Sequence, residues 1–129
     1  MLVLLDTTVL IDFLRGRPAA GRVAALRQRG DRPGTTPINV EELVRGLLPD
    51  ERDAAGDLVR GLRVVPIGAD DGWRAGAWRR EHAATGVTLS QADCLIAAVA
   101  VSSGALLATG NRRPFPMAGI DIEEWPVGA

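Results

Sequence analysis

Three acids in this chain, Asp6, Glu42 and Asp93, stand where carboxylates could act together on one ligand. Asp6 ends the run Leu2-Val3-Leu4-Leu5, and four apolar residues without alternation predict a strand buried on both faces of a parallel sheet. Open α/β sheets hold their ligand crevice at the carboxyl ends of the strands, which puts Asp6 at the reactive edge. The alternative is that Asp6 caps the following helix through the N–H of Val9 or Leu10. Glu42 lies on a helix between apolar Val40 and Leu43, about one turn from its Thr36-Pro37 start. Asp93 opens the most hydrophobic helix, Cys94-Leu95-Ile96-Ala97-Ala98, whose cap is already supplied by Ser90. With a parallel sheet these three can converge on one edge. Carboxylates a few ångströms apart repel unless a divalent cation neutralises them, and an all-oxygen donor set selects Mg²⁺ or Mn²⁺ over zinc.

The elements that must position these acids alternate. Leu2–Leu5 is a strand, residues 9–15 a short helix ended by Gly16, and Pro18 opens a helix to about Arg29. Residues 30–34 form a loop, with Thr35-Thr36 a brief strand. Thr36 then caps a helix with Pro37 at its first position, ending at Gly46. A helix over residues 50–62 precedes a strand at 63–67, with Pro66 at its end or at a sheet edge. Helices follow at 70–85 and from Ser90 to Val101, then a buried strand at 105–109 and a short last one at 120–122. Strands separated by helices predict an α/β domain, a mostly parallel sheet with helices on both faces.

Composition narrows the chemistry. At 129 residues, with 47% hydrophobic content, the chain is expected to form a single domain over residues 1–129. Its one cysteine, Cys94, is read as core; it excludes an internal disulfide or a Cys-rich zinc site and suits a reducing cytoplasm. The first fourteen residues lack the basic start of a signal peptide, and no apolar run approaches the roughly 20 residues that span a bilayer. Every basic residue is Arg, so Schiff-base and P-loop chemistry are ruled out. A net charge of −1 gives no overall field for nucleic acid, so such contacts must come from local arginines. Asp12 is read as a surface or helix-end residue and the lone His82 as solvated. Trp73, Trp78 and Trp125 are read as core or dimer contacts.

Taken in order, Leu5-Asp6-Thr7-Thr8-Val9-Leu10-Ile11-Asp12, the block Thr36 to Gly46 with Glu41-Glu42-Leu43-Val44-Arg45-Gly46, and Ala92-Asp93-Cys94-Leu95-Ile96-Ala97-Ala98 resemble the successive blocks of PIN-domain ribonucleases, the VapC-type toxins in particular. The resemblance runs essentially end to end. It implies a three-layer α/β/α sandwich with a short, mostly parallel central sheet and Mg²⁺-dependent cleavage of single-stranded or loop RNA, with Mn²⁺ as a substitute ion. It also implies a homodimer neutralised by a small VapB-like antitoxin. Asp6, Glu42 and Asp93 match the metal-holding acids, while Glu41 points about 100° away around the helix and is assigned to solvent. The last block departs. Where the family has Thr-Arg-Asn/Asp-x-x-Asp-Phe, this chain has Thr109-Gly110-Asn111-Arg112-Arg113-Pro114-Phe115. Asn111 keeps a polar group at the fourth site, but Gly110 replaces an Arg and Pro114 replaces an acid, which bears on a second metal. Thr7 and Thr109 match hydroxyls near the family's site, or simply bond the backbone. Arg112 and Arg113 follow the block and either hold RNA phosphates or line a solvated loop. The alternative function is a degenerate module that binds RNA or protein without cutting. A haloacid-dehalogenase-like enzyme is disfavoured by Thr8, where a second acid is wanted, and by the absence of Lys.

Overall fold

The computed structural model describes residues 1–128. A five-stranded, wholly parallel sheet forms the middle layer, in the order β3-β2-β1-β4-β5. The strands are β1 (Leu2–Leu5), β2 (Arg32–Thr35), β3 (Arg63–Val64), β4 (Leu106–Thr109) and β5 (Ile122–Glu124). The helices are α1 (Thr7–Leu14), α2 (Pro18–Gln28), α3 (Pro37–Arg45), α4 (Arg52–Arg60), α5 (Ala69–Ala84) and α6 (Gln91–Ser102).

The apolar run of β1 is buried on both faces because it is the central strand. Val3 and Leu5 point into a core shared with α1 to α4, including Val9, Leu10, Val23, Leu26 and Leu43. Leu4, between them, points the other way, into a core with Trp78, Ile96, Val99 and Leu107 that belongs to α5, α6 and β4. That period of two makes the three layers. Each fully buried Leu or Ile here contributes about 1.5–3 kcal/mol. The continuous apolar stretch of α6 follows from its depth: Ile96, Ala97, Ala98 and Val99 are all fully covered.

Because all strands run the same way, the carboxyl ends of β1, β2 and β4 share one edge of the sheet. Asp6, Thr36 and Thr109 therefore arrive there together, with Asp6 N–H bonded to Ala108 C=O at 2.9 Å.

Besides β5, which runs Ile122–Glu124 instead of 120–122, two regions differ from the sequence expectation. Strand β2 runs through Arg32-Pro33-Gly34, where the turn-forming residues predict a loop. Pro33 is tolerated because β3 pairs only with Gly34 and Thr35, so its missing N–H breaks no bond to that strand. Gly34 is required: a Cβ there would lie 2.7 Å from the backbone carbonyl of Arg63. Gly34→Ala should cost about 1–3 kcal/mol by prying β3 from the edge, read as a lower denaturant midpoint; an unchanged midpoint would contradict this close approach. The second difference is the length of β3, which stops at Val64 instead of reaching Ile67.

Asp12 is also not a surface residue. It is 2% exposed; its Oδ2 accepts from Ala19 N–H at 2.9 Å and its Oδ1 from Gly128 N–H at 2.8 Å. Since Arg17 gives α2 no side-chain cap, Asp12 serves its first turn from the preceding helix.

Candidate active site

Asp6 occupies the N-cap position of α1, yet its side chain makes no capping bond; its backbone carbonyl accepts from Val9 and Leu10 instead. The carboxylate is thereby released toward the sheet edge. Its Oδ1 accepts from Asn39 Nδ2 at 3.1 Å and its Oδ2 from Thr109 Oγ1 at 2.7 Å. Burial pushes the Asp6 carboxyl above the usual range. The Thr109 hydroxyl and the Thr7 backbone N–H pull it back, and the charges of Asp93 and Glu42 push it up further.

Glu42 reaches the same edge from α3, which Thr36 caps through Asn39 N–H and Pro37 begins. Its Oε1 accepts from Thr7 Oγ1 at 2.7 Å, and Arg45 approaches its Oε2 at 3.9 Å. Glu41 lies 63% exposed and pairs with Arg45 at 3.3 Å. Asp93 sits half-buried in the first turn of α6, where its Oδ2 accepts from Ser90 Oγ at 2.7 Å while Ser90 Oγ accepts from Asp93 N–H at 3.1 Å. The cap therefore holds the carboxylate as well as the helix end.

The charges of Glu42 and Asp93 both act on Asp6 at this edge, but among the described residues no three Asp, Glu, His or Cys side chains are gathered closely enough to enclose an ion as they stand. Each carboxylate is turned to its own donor: Thr7 for Glu42, Ser90 for Asp93, and Thr109 with Asn39 for Asp6. The donor set is nevertheless all oxygen, and the buried Asp6 is held by neutral groups rather than by an arginine. That chemistry fits a hard divalent cation such as Mg²⁺ or Mn²⁺.

The remaining residues fall into two groups. Thr7 and Thr109 lie inside the network. Asn111 is exposed at the start of the loop after β4; its Oδ1 accepts from Arg113 N–H at 3.2 Å, and its own N–H donates to Thr109 Oγ1. Arg112 and Arg113 are exposed on that loop, which buried Phe115 and Met117 anchor. Gly110 leaves room for Val127, whose methyl carbon would meet an added Cβ at 2.8 Å. Asn39 is the residue that sequence reasoning misses. Its signal is position: three residues before Glu42, it shares that residue's helix face. Cys94 is buried beside Asp93, and burial pushes its thiol up, as expected of an inert core cysteine.

The PIN-domain family model matches residues 3–119, and the chain belongs to that family. Among its relatives in Mycobacterium tuberculosis, Ribonuclease VapC10 is 34% identical over 117 residues, 90% of this chain and 87% of that protein. Ribonuclease VapC19 is 31% identical over 115 residues, 88% of this chain and 92% of that protein. Among solved structures, DNA-bound VapBC from Salmonella typhimurium superposes with a TM-score of 0.81 at 29% identity, over 97% of this chain and 99% of that one.

Proposed function

We propose that this protein is a metal-dependent endoribonuclease toxin of the VapC type, acting as one domain on single-stranded or loop RNA. The observation that carries the reading is the placement of the buried strand-end carboxylate of Asp6 at one sheet edge with Glu42, to which Asn39 and Thr7 join it, and within reach of the charge of Asp93. The names of the relatives support the substrate class.

Asp6, Glu42 and Asp93 would hold Mg²⁺, with Mn²⁺ as a substitute. The ion, when bound, would supply a water activated near neutral pH and offset charge developing on the phosphodiester. The chain's own contribution is orientation. Thr109 fixes one oxygen of Asp6, Thr7 one oxygen of Glu42, and Ser90 one oxygen of Asp93. Asn111 would orient a ligand at the fourth position from its place beside Thr109. The test is thermal melting during Mn²⁺ titration. The wild type should be stabilised, and Glu42→Gln should need more Mn²⁺ for the same gain. A wild type indifferent to both Mn²⁺ and Mg²⁺ would overturn the metal assignment.

Arg112 and Arg113 would grip RNA phosphates, because a net charge of −1 leaves that work to local arginines. Replacing both with Ala should weaken binding and flatten the slope of log K against log salt by roughly 0.7 per lost contact on single-stranded RNA. An unchanged slope would place the RNA path elsewhere.

An antitoxin of the VapB kind is the proposed inhibitor. Its docking is supported by an apolar groove of about 540 Å³ between α3 and α4, beside the helix that carries Glu42 and lined by Val44, Leu47, Leu48 and Val59. Val44 and Leu48 are more than half exposed on that surface. A homodimer is proposed through α5, where Trp73 is 85% exposed; Trp78, by contrast, is buried in the core. Among the described residues no helix is long and apolar enough to cross a membrane, and a reducing cytoplasm suits the single thiol.

A further inference from the structure

We propose that Asn39 is a positioning residue that ties Asp6 to Glu42 through Thr7 and so sets how the two carboxylates are presented to a divalent cation; this rests on the metal reading above. Asn39 is 1% exposed, a costly site for an amide unless every polar atom is matched. It is matched completely. Thr36 Oγ1 donates to Asn39 Oδ1 at 2.7 Å, and Asn39 Nδ2 donates to Asp6 Oδ1 at 3.1 Å and to Thr7 Oγ1 at 3.0 Å.

The direction of these bonds is forced. Turning the amide over would set its carbonyl oxygen against the Asp6 carboxylate, so the nitrogen faces Asp6. Thr7 Oγ1, accepting from Asn39, has one proton left to give, and it gives it to Glu42 Oε1 at 2.7 Å. Two carboxylates, one just past the end of β1 and one on α3, are thus set by one side chain, through a chain of donors that runs only one way. Cooperative networks of this kind hold their members more firmly than isolated pairs do. Residues that orient metal-holding groups in this manner typically cost 10–100-fold in metal affinity or activity when lost.

Asn39→Ala removes the link. The Mn²⁺ concentration at the midpoint of thermal stabilisation should rise about tenfold or more, and kcat for RNA cleavage should fall by a similar factor with KM within about twofold. The same change added to Thr7→Val should cost clearly less than it costs alone, because the arm through Thr7 to Glu42 is already broken and only the bond to Asp6 remains to be lost. A merely structural asparagine would lower the metal-free melting temperature, leave the Mn²⁺ midpoint in place and add its full cost to Thr7→Val; that result overturns the proposal.

Should Asn39→Ala fail to fold, the isosteric Asn39→Asp keeps the question open to test. It places an anion against Asp6 and lets Thr7 donate away from Glu42. Mn²⁺ should then restore more melting temperature than it adds to the wild type, and equal gains would overturn the inference. A wild type without any Mn²⁺ response overturns the metal reading and this inference together, whereas a responsive wild type with an unmoved Asn39→Ala midpoint overturns this inference alone.

Discussion

Asp6→Asn should abolish RNA cleavage, by about a thousandfold or more, or about 4 kcal/mol of barrier, while leaving the protein folded. The metal-free variant should melt higher than the wild type. Both halves follow from the same carboxylate. In the folded chain its pKa is raised, chiefly by burial and then by Asp93 and Glu42. Folding therefore favours its protonated form, so stability falls as pH rises from the unfolded value of 3.8 through the raised one. Above the raised pKa the full penalty is present, and a neutral amide removes it. The network accommodates Asn: its oxygen can accept from Asn39, and its nitrogen can donate to Thr109 Oγ1, whose own proton then turns to Asn111 C=O, 3.1 Å away. Differential scanning at pH 7 without divalent ions, beside an RNA cleavage assay, checks both halves. Retained activity, or a lower metal-free melting temperature, would contradict them.

Asp12→Ala should be among the most damaging changes to stability, costing about 2–4 kcal/mol. Two backbone donors, on Ala19 and Gly128, lose their acceptor at once. The effect should couple the chain's two ends: α2 loses the cap on its first turn, and the C-terminal segment loses its tie to α1. Asp12→Asn, which keeps one good acceptor, should retain part of the stability. Urea denaturation reads the difference, and a loss below about 0.5 kcal/mol for Asp12→Ala would show that neither bond holds in solution.

The elements that carry the acids are legible in the sequence because local chemistry and tertiary demand agree in them. Leu2–Leu5 reads as a doubly buried strand and is the central one; Thr36-Pro37 reads as a helix start, and Ser90 as a cap, and both act so. Strand β2 is hidden because Pro33 and Gly34 disfavour strands by propensity. Their places are dictated by the neighbouring strands, by the short reach of β3 and the close approach of Arg63. Asp12 is hidden for a related reason. Its partners, seven and 116 residues away, are backbone groups that leave no mark in side-chain type. The acids of the proposed site can be picked out singly, since each interrupts an apolar context. What holds them cannot: Asn39 looks like an ordinary first-turn residue until Asp6 and Thr7 are brought beside it.

The most direct test of the central claim is the metal dependence and end chemistry of RNA cleavage. Purified protein, stripped of divalent ions by EDTA, should leave a labelled single-stranded RNA intact, and added Mg²⁺ or Mn²⁺ should restore cutting. The products should carry 5′-phosphate and 3′-hydroxyl ends, because water rather than the ribose 2′-hydroxyl attacks. Cleavage that persists in EDTA and leaves 2′,3′-cyclic phosphates would contradict the role given to Asp6, Glu42 and Asp93. RNA binding with no cleavage in either ion would contradict it equally, in favour of a domain that binds without cutting.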